Sequence, residues 1–232
     1  MNASPGKIEI ALFAVGLALA CLVLLALLWS GVGPYADMAR ANGADRTTFI
    51  DHTTGGHVEM ELGPLVEEHR VWSTYVTGGT GDPPAPGRFY AADEISHMED
   101  VRRVFDGAKL LIPAGFFVMA IRMQRARTRS AEAMLRLIRD GAVAAGIAVA
   151  AIGIVAAFAF EQAFLLFHQV FFPQGNFLFD PATSNLVRLY PDWYWQGITF
   201  RIGLSFIAVA AAVALAASIA LRRARSTRLA SA

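Results

Sequence analysis

Two histidines, His97 in ISHMEDVRRVF and His168 in FLLFHQVFFP, are the residues of this sequence best suited to carrying a proton in a reaction. Imidazole titrates close to neutral pH, so it can take and return a proton in an ordinary setting. Asp93 precedes His97 by four positions and Asp100 follows it by three. On a helix either carboxylate reaches the ring, where it would fix the tautomer and raise the basicity. A surface histidine on a solvated, charge-laced helix gives the same spacing. His168 has only Phe164 and Leu165 one turn before it, so a catalytic partner must come from another part of the fold. An imidazole anchoring a helix end at a membrane interface is the plainer account of it.

A second set of candidates surrounds His168. Glu161 lies two turns before it within an apolar run, where an ionisable group faces a partner or a cavity, or, protonated, lines a substrate cleft. Phe179-Asp180-Pro181 has the form of a turn, and Asp180 is also a cleft candidate. Arg188, in NLVRLYPDWYW, has a planar donor fork suited to a phosphate, a carbonyl or an oxyanion, and equally to a phospholipid headgroup. Tyr190 is a further oxyanion donor candidate and Trp193 a cleft candidate, although Tyr190, Trp193, Tyr194 and Trp195 also read as an aromatic belt. His52, His57 and His69 follow no metal-ligand pattern, so no metal site is expected; His69 lies on an apolar helix face. Cys21 is the single cysteine, which excludes an intrachain disulfide and a cysteine-based metal site. The sequence lacks G-x-S-x-G, H-E-x-x-H, Walker and G-x-G-x-x-G patterns, which argues against a serine hydrolase and a nucleotide-driven pump.

Positioning these residues falls to membrane helices. Of 232 residues, 55% are hydrophobic and 17% charged, and the net charge of +1 gives no general attraction to nucleic acid. A bilayer core needs about 20 apolar residues of helix. Ile8–Trp29, Ala142–Phe167 and Thr199–Leu221 supply this, the first as a retained anchor rather than a signal peptide. Gly107–Ile121 is shorter and holds Pro113, but the arginines after it (Arg122, Arg125, Arg127, Arg129, Arg136, Arg139) and those after the last span (Arg222, Arg223, Arg225, Arg228) fit a cytoplasmic side only if it crosses. The expectation is an all-α membrane protein forming one membrane domain over 1–232. Its spans lie at about 8–29, 107–121, 142–167 and 199–221, with both termini cytoplasmic and outer loops 30–106 and 168–198.

The first outer loop should be helical. Val58, Leu62, Leu65, Val66, His69, Trp72 and Val76 recur at helical spacing, Gly78–Gly87 is a proline-broken loop, and Asp93 is a candidate N-cap for a helix from Glu94 to Phe105. Adjacent antiparallel second and third spans would bring His97 and His168 together at the outer interface.

HMEDVRRVF before the second span and FHQVFFPQGNFLFDPATSNLVRLYPDWYW between the third and fourth resemble the motifs of the lipoprotein intramolecular transacylases, four-span bacterial membrane enzymes. The resemblance implies transfer of the sn-2 acyl chain of a diacylglyceryl-modified lipoprotein to the α-amino group of its N-terminal cysteine. It implies His97 and His168 as the catalytic pair, lipoproteins and membrane lipid as partners, no cofactor, and a place in the bacterial inner membrane with the site on the outer face. Two other classes fit the residues: a membrane protein holding haem or a metal through His97 and His168, and a non-catalytic module that binds lipid or protein.

Overall fold

Peptide groups in hydrocarbon have no water to bond, so long apolar runs satisfy them internally as helices. The computed structural model describes residues 5–79, 82–84 and 86–230. In chain order its elements are α1 (Lys7–Trp29), α2 (Val32–Ala41), β1 (Arg46–Asp51), β2 (Gly56–Glu61), α3 (Leu62–Val76), α4 (Ala92–Lys109), α5 (Leu111–Arg129), α6 (Ala131–Phe158), α7 (Phe160–Phe171), α8 (Asn185–Leu189) and α9 (Asp192–Ala230). Four stretches are long and apolar enough to cross a membrane: Lys7–Trp29, Ala92–Arg129, Ala131–Phe158 and Asp192–Ala224. The chain is a multi-pass helical membrane protein, as the sequence indicates.

Two of the expected spans take a different form. The short Gly107–Ile121 run gains length because α4 leads into α5 with an interruption only at Leu110. Pro113 has no N–H to offer the Lys109 carbonyl, which accounts for the break. The run from Ala142 to Phe167 is not one helix: α6 ends at Phe158, and Ala159, at φ −132° and ψ 46°, separates it from α7. Periodicity cannot reveal such a break, because apolar residues continue through it.

By packing, the chain divides into two compact units. One comprises 1–25, 109–158 and 201–232. Its core includes Phe13, Leu17, Met119, Leu137, Phe206 and Ala210. A Cβ on Gly115 would come within 2.5 Å of the Gly16 carbonyl oxygen, so α1 and α5 approach through their backbones. Small residues permit this packing where hydrophobic burial gives helices no reason to associate. Arg129 Nη2 donates to both carboxylate oxygens of Glu9, at 2.8 and 2.7 Å, joining the ends of the same helices.

The other unit, 26–108 and 159–200, carries every candidate site residue. It contains a hairpin that the sequence reading did not anticipate. β1 pairs antiparallel with β2, from Arg46 opposite Glu61 to Asp51 opposite Gly56. Its tight turn is closed by Asp51 Oδ1, which accepts from Thr53 N, Thr53 Oγ1 and Thr54 N, and by Gly55 at φ 71°. Val58, assigned above to the helical apolar face, is instead on β2 opposite Phe49. The rest of that face is as expected: Leu65, His69, Trp72 and Val76 are buried on α3. Of the Gly78–Gly87 loop, Thr80, Gly81 and Ala85 lie outside the described residues.

Buried polar groups tie this unit together. The Asn185 side chain accepts from Ile50 N and donates to the carbonyls of Ile50 and Phe89. Glu94 is 1% exposed, and its carboxylate accepts from Ala91 N at 2.8 Å, Ser184 Oγ at 2.6 Å and Leu186 N at 2.7 Å. One acid therefore reaches back to the start of α4 and also holds the first turn of α8. Asp93, the expected N-cap, lies inside α4, and Ala91 takes the capping position.

Candidate active site

His97 and His168 lie with ring centroids 6.0 Å apart and planes 20° from parallel. α4 positions the first and α7 the second. Both are buried, and the groups around them are aromatic. Phe172 and Phe179 lie 4.7 and 5.4 Å from the His97 ring. Phe164, Phe177 and Phe172 lie 4.1, 5.2 and 5.4 Å from His168. Phe164 sits one turn before His168, as the spacing predicted, whereas the other phenylalanines come from the segment after α7.

That segment folds over the pair because Gly175, at φ 82°, turns it back towards α4. There Asp100 Oδ2 accepts from Gln174 Nε2 at 2.5 Å and Asn176 Nδ2 at 2.8 Å, and Oδ1 accepts from Arg103. Asp100 thus holds the covering segment. Asp93 turns to the Glu94 N–H.

The ring nitrogens differ in what they bond. His168 Nδ1 lies 2.8 Å from the Phe164 carbonyl oxygen, which can only accept, so Nδ1 carries the proton and Nε2 the lone pair. Burial pushes the His168 imidazole below its ordinary value, and the Phe164 carbonyl opposes this. His97 Nδ1 is buried with no hydrogen-bond partner. A buried polar nitrogen without a partner costs about 1–3 kcal/mol, and such groups collect where a ligand completes the set. Adding a proton to each ring would set two like charges 6.0 Å apart, a repulsion on the order of 3 kcal/mol at an effective dielectric of about 20. Two protonated rings at once are therefore disfavoured.

The remaining candidates lie elsewhere in this unit. Arg188 Nη1 donates to the Thr48 carbonyl at 2.7 Å and Nη2 to the Ala182 carbonyl at 3.3 Å. Asp180 closes its own turn, Oδ1 accepting from Ala182 N at 2.8 Å. Glu161 is exposed in the first turn of α7. Trp193 packs on Tyr35 at 5.9 Å. Tyr190 Oη lies 3.2 Å from His69 Nδ1, while His69 Nε2 lies 3.3 Å from the Gly31 carbonyl and the ring stacks on Tyr35 at 4.3 Å. Sequence reasoning missed Glu94, Asn185, Gln174 and Asn176, each of which has a partner 70 or more positions away that leaves no local pattern. Gly175 between Gln174 and Asn176 was the one local sign of a turn. Among the described residues no three His, Cys, Asp or Glu side chains are grouped to hold a metal ion.

Comparison with known proteins gives a consistent picture. A family model described as lipoprotein intramolecular transacylase Lit matches residues 50–195. No curated protein matches. The chain resembles the in meso structure of the membrane-integral lipoprotein intramolecular transacylase Lit from Bacillus cereus, with 15% identity, a TM-score of 0.70, and 95% of this chain and 97% of that one covered. Structures of two variants of that protein, in which a histidine is replaced by arginine or by alanine, match at 16% identity each. Their TM-scores are 0.68 and 0.67, covering 95% of this chain and 94% and 95% of theirs.

Proposed function

The chain belongs to the lipoprotein intramolecular transacylase family, a family of acyltransferases, and from that premise we propose that His97 and His168 catalyse acyl transfer within a diacylglyceryl-modified lipoprotein. The sn-2 ester carbonyl rests between the two rings. The α-amino nitrogen of the lipidated cysteine attacks the carbonyl carbon and gives its proton to His168 Nε2. As the C–O bond to glycerol breaks, His168 gives up that same proton, which reaches the departing oxygen through His97 Nδ1. An amide forms, a free sn-2 hydroxyl remains, and one proton has passed from nitrogen to oxygen. Both rings end as they began, and no water, metal or cofactor enters the balance.

The observation that carries this reading is the contrast between the two rings' nitrogens. His168 has its tautomer fixed by Phe164, which leaves Nε2 as a base, and His97 keeps a buried nitrogen without a partner. Acid–base help of this kind contributes about 10²–10⁴ in rate. Amine and ester belong to one molecule, so positioning supplies a further part of the acceleration. The phenylalanine box excludes water that would hydrolyse the ester instead. Basic segments stay in the cytoplasm, so the arginines from Arg122 to Arg139 and those at the end of α9, after the last span, lie on the inner side. The histidine pair then faces outward from the bacterial inner membrane.

Mass spectrometry of a reporter lipoprotein's N-terminal peptide, from cells with and without this protein, tests the reading. The expected product is an N-acyl, monoacyl peptide that disappears with His97→Ala or His168→Ala. A peptide that keeps both ester-linked chains and a free amine in the presence of folded wild-type protein overturns it. Trapping an acyl-imidazole by rapid chemical quench would replace direct transfer with a covalent route.

A further inference from the structure

A groove of about 360 Å³ lies among the hairpin, α2, α3, α8 and the start of α9. Two guanidiniums, Arg46 and Arg188, line it together with the rings of Tyr35 and Trp193, and Pro181 and Pro191 border it. The phenylalanines around His97 and His168 are not part of this wall.

The charge in this groove is not neutralised. Arg188 directs both terminal nitrogens at main-chain carbonyls, and its Nε is buried with no hydrogen-bond partner. Arg46 is exposed at the start of β1. Neither arginine takes part in an ion pair among the described residues, although Asp45 is next in sequence and Glu61 lies opposite Arg46 in the ladder. Two guanidiniums facing one cavity suit an oxyanion with several acceptors, and the planar fork matches phosphate in particular.

Height along α9 identifies the source of such an anion. Trp193 precedes Thr199, where the apolar run begins, by six residues, or about 9 Å along the helix and roughly 7–8 Å in height at the ordinary tilt of a span. The polar layer of each leaflet is about 5–8 Å thick, and tryptophan and tyrosine concentrate there. We propose that this groove binds the phosphate of a phospholipid headgroup. Arg46 and Arg188 bond its oxygens, and Tyr35 and Trp193 pack on the glycerol and the first acyl carbons. This lipid is neither donor nor acceptor in the acyl transfer, so the site stands independently of that reading.

Native mass spectrometry of the full-length protein in detergent tests it, with phosphatidylglycerol, diacylglycerol of the same chains, and inorganic phosphate as probes. One phosphatidylglycerol retained per chain, with diacylglycerol lost, is the expected result. Arg46→Gln should weaken retention roughly tenfold, the loss of one charged contact. It should still convert the reporter lipoprotein, which separates loss of this site from loss of fold or of the histidine chemistry. Arg188→Lys keeps the charge but loses the fork and its bonds to the Thr48 and Ala182 carbonyls, and should weaken retention at least as much as Arg46→Gln. Equal retention of diacylglycerol, wild-type retention by Arg46→Gln, or inorganic phosphate binding as tightly as the lipid overturns the proposal.

Discussion

Two buried histidine sites in the same unit separate burial from reactivity. His69 is 1% exposed, and His97 and His168 are 6% and 7% exposed, so depth does not distinguish them. Their nitrogens do. The Gly31 carbonyl can only accept, so His69 Nε2 donates to it and Nδ1 accepts from the Tyr190 hydroxyl. That ring has no site left for a substrate and joins α2, α3 and the chain after α8. In the other pair one nitrogen of His168 is engaged and Nδ1 of His97 has no partner. A buried imidazole with both nitrogens bonded can only serve the structure, whereas one with a nitrogen left over is available for the chemistry proposed above.

The largest expected effect breaks the reactive side of this comparison. His168→Asn keeps a donor near the Phe164 carbonyl but removes Nε2. Reporter conversion should fall by about 10²–10⁴ while the melting temperature in detergent changes by only a few degrees. His69→Ala should do the reverse. It leaves a cavity and two polar groups without partners, costing about 3 kcal/mol, so melting falls by roughly 5–10 °C while activity per folded molecule is retained.

Acid sharpens the contrast. Burial holds His69 down at about 4 in the folded state, against an ordinary value of 6.5. Between those values the unfolded chain binds the extra proton, so stability rises with pH and is lost as pH falls from 6.5 towards 4. The shift corresponds to about 3 kcal/mol. Thermal unfolding across that range should show the loss, and His69→Phe should remove the share that belongs to His69. The part due to His168, whose value is lowered in the same direction, should remain. The smallest effect concerns the cover: Asp100→Ala frees Gln174 and Asn176, and reporter conversion should drop about threefold to tenfold through poorer positioning, with little change in melting temperature. If His69→Ala abolished conversion in folded protein while His168→Asn spared it, the two sites would have exchanged roles.

Much of this was legible in the residues. Apolar runs of helical length fixed the four-span class, because hydrocarbon leaves the backbone no other partner. The series around His97 and His168 carried the family, and helical spacing placed Phe164 beneath His168. The hairpin was hidden because its strands are short and largely polar, and the stop at Ala159 because it lies inside an unbroken apolar run. Type and position singled out Tyr190 and Arg188, but not their partners: Tyr190 meets His69, and Arg188 donates to main-chain carbonyls, one of them 140 positions away.

By itself the sequence determined which segments enter the bilayer and which residues are able to carry protons, since both follow from composition and local spacing. Only the tertiary structure decided which histidine nitrogens are left without a partner, because, apart from the Phe164 carbonyl beneath His168, the groups that settle this are distant along the chain. Gly31 and Tyr190 engage His69. Glu94 fixes α4 against α8, Asp100 draws the 172–179 segment over α4, and His168 meets His97 from another helix.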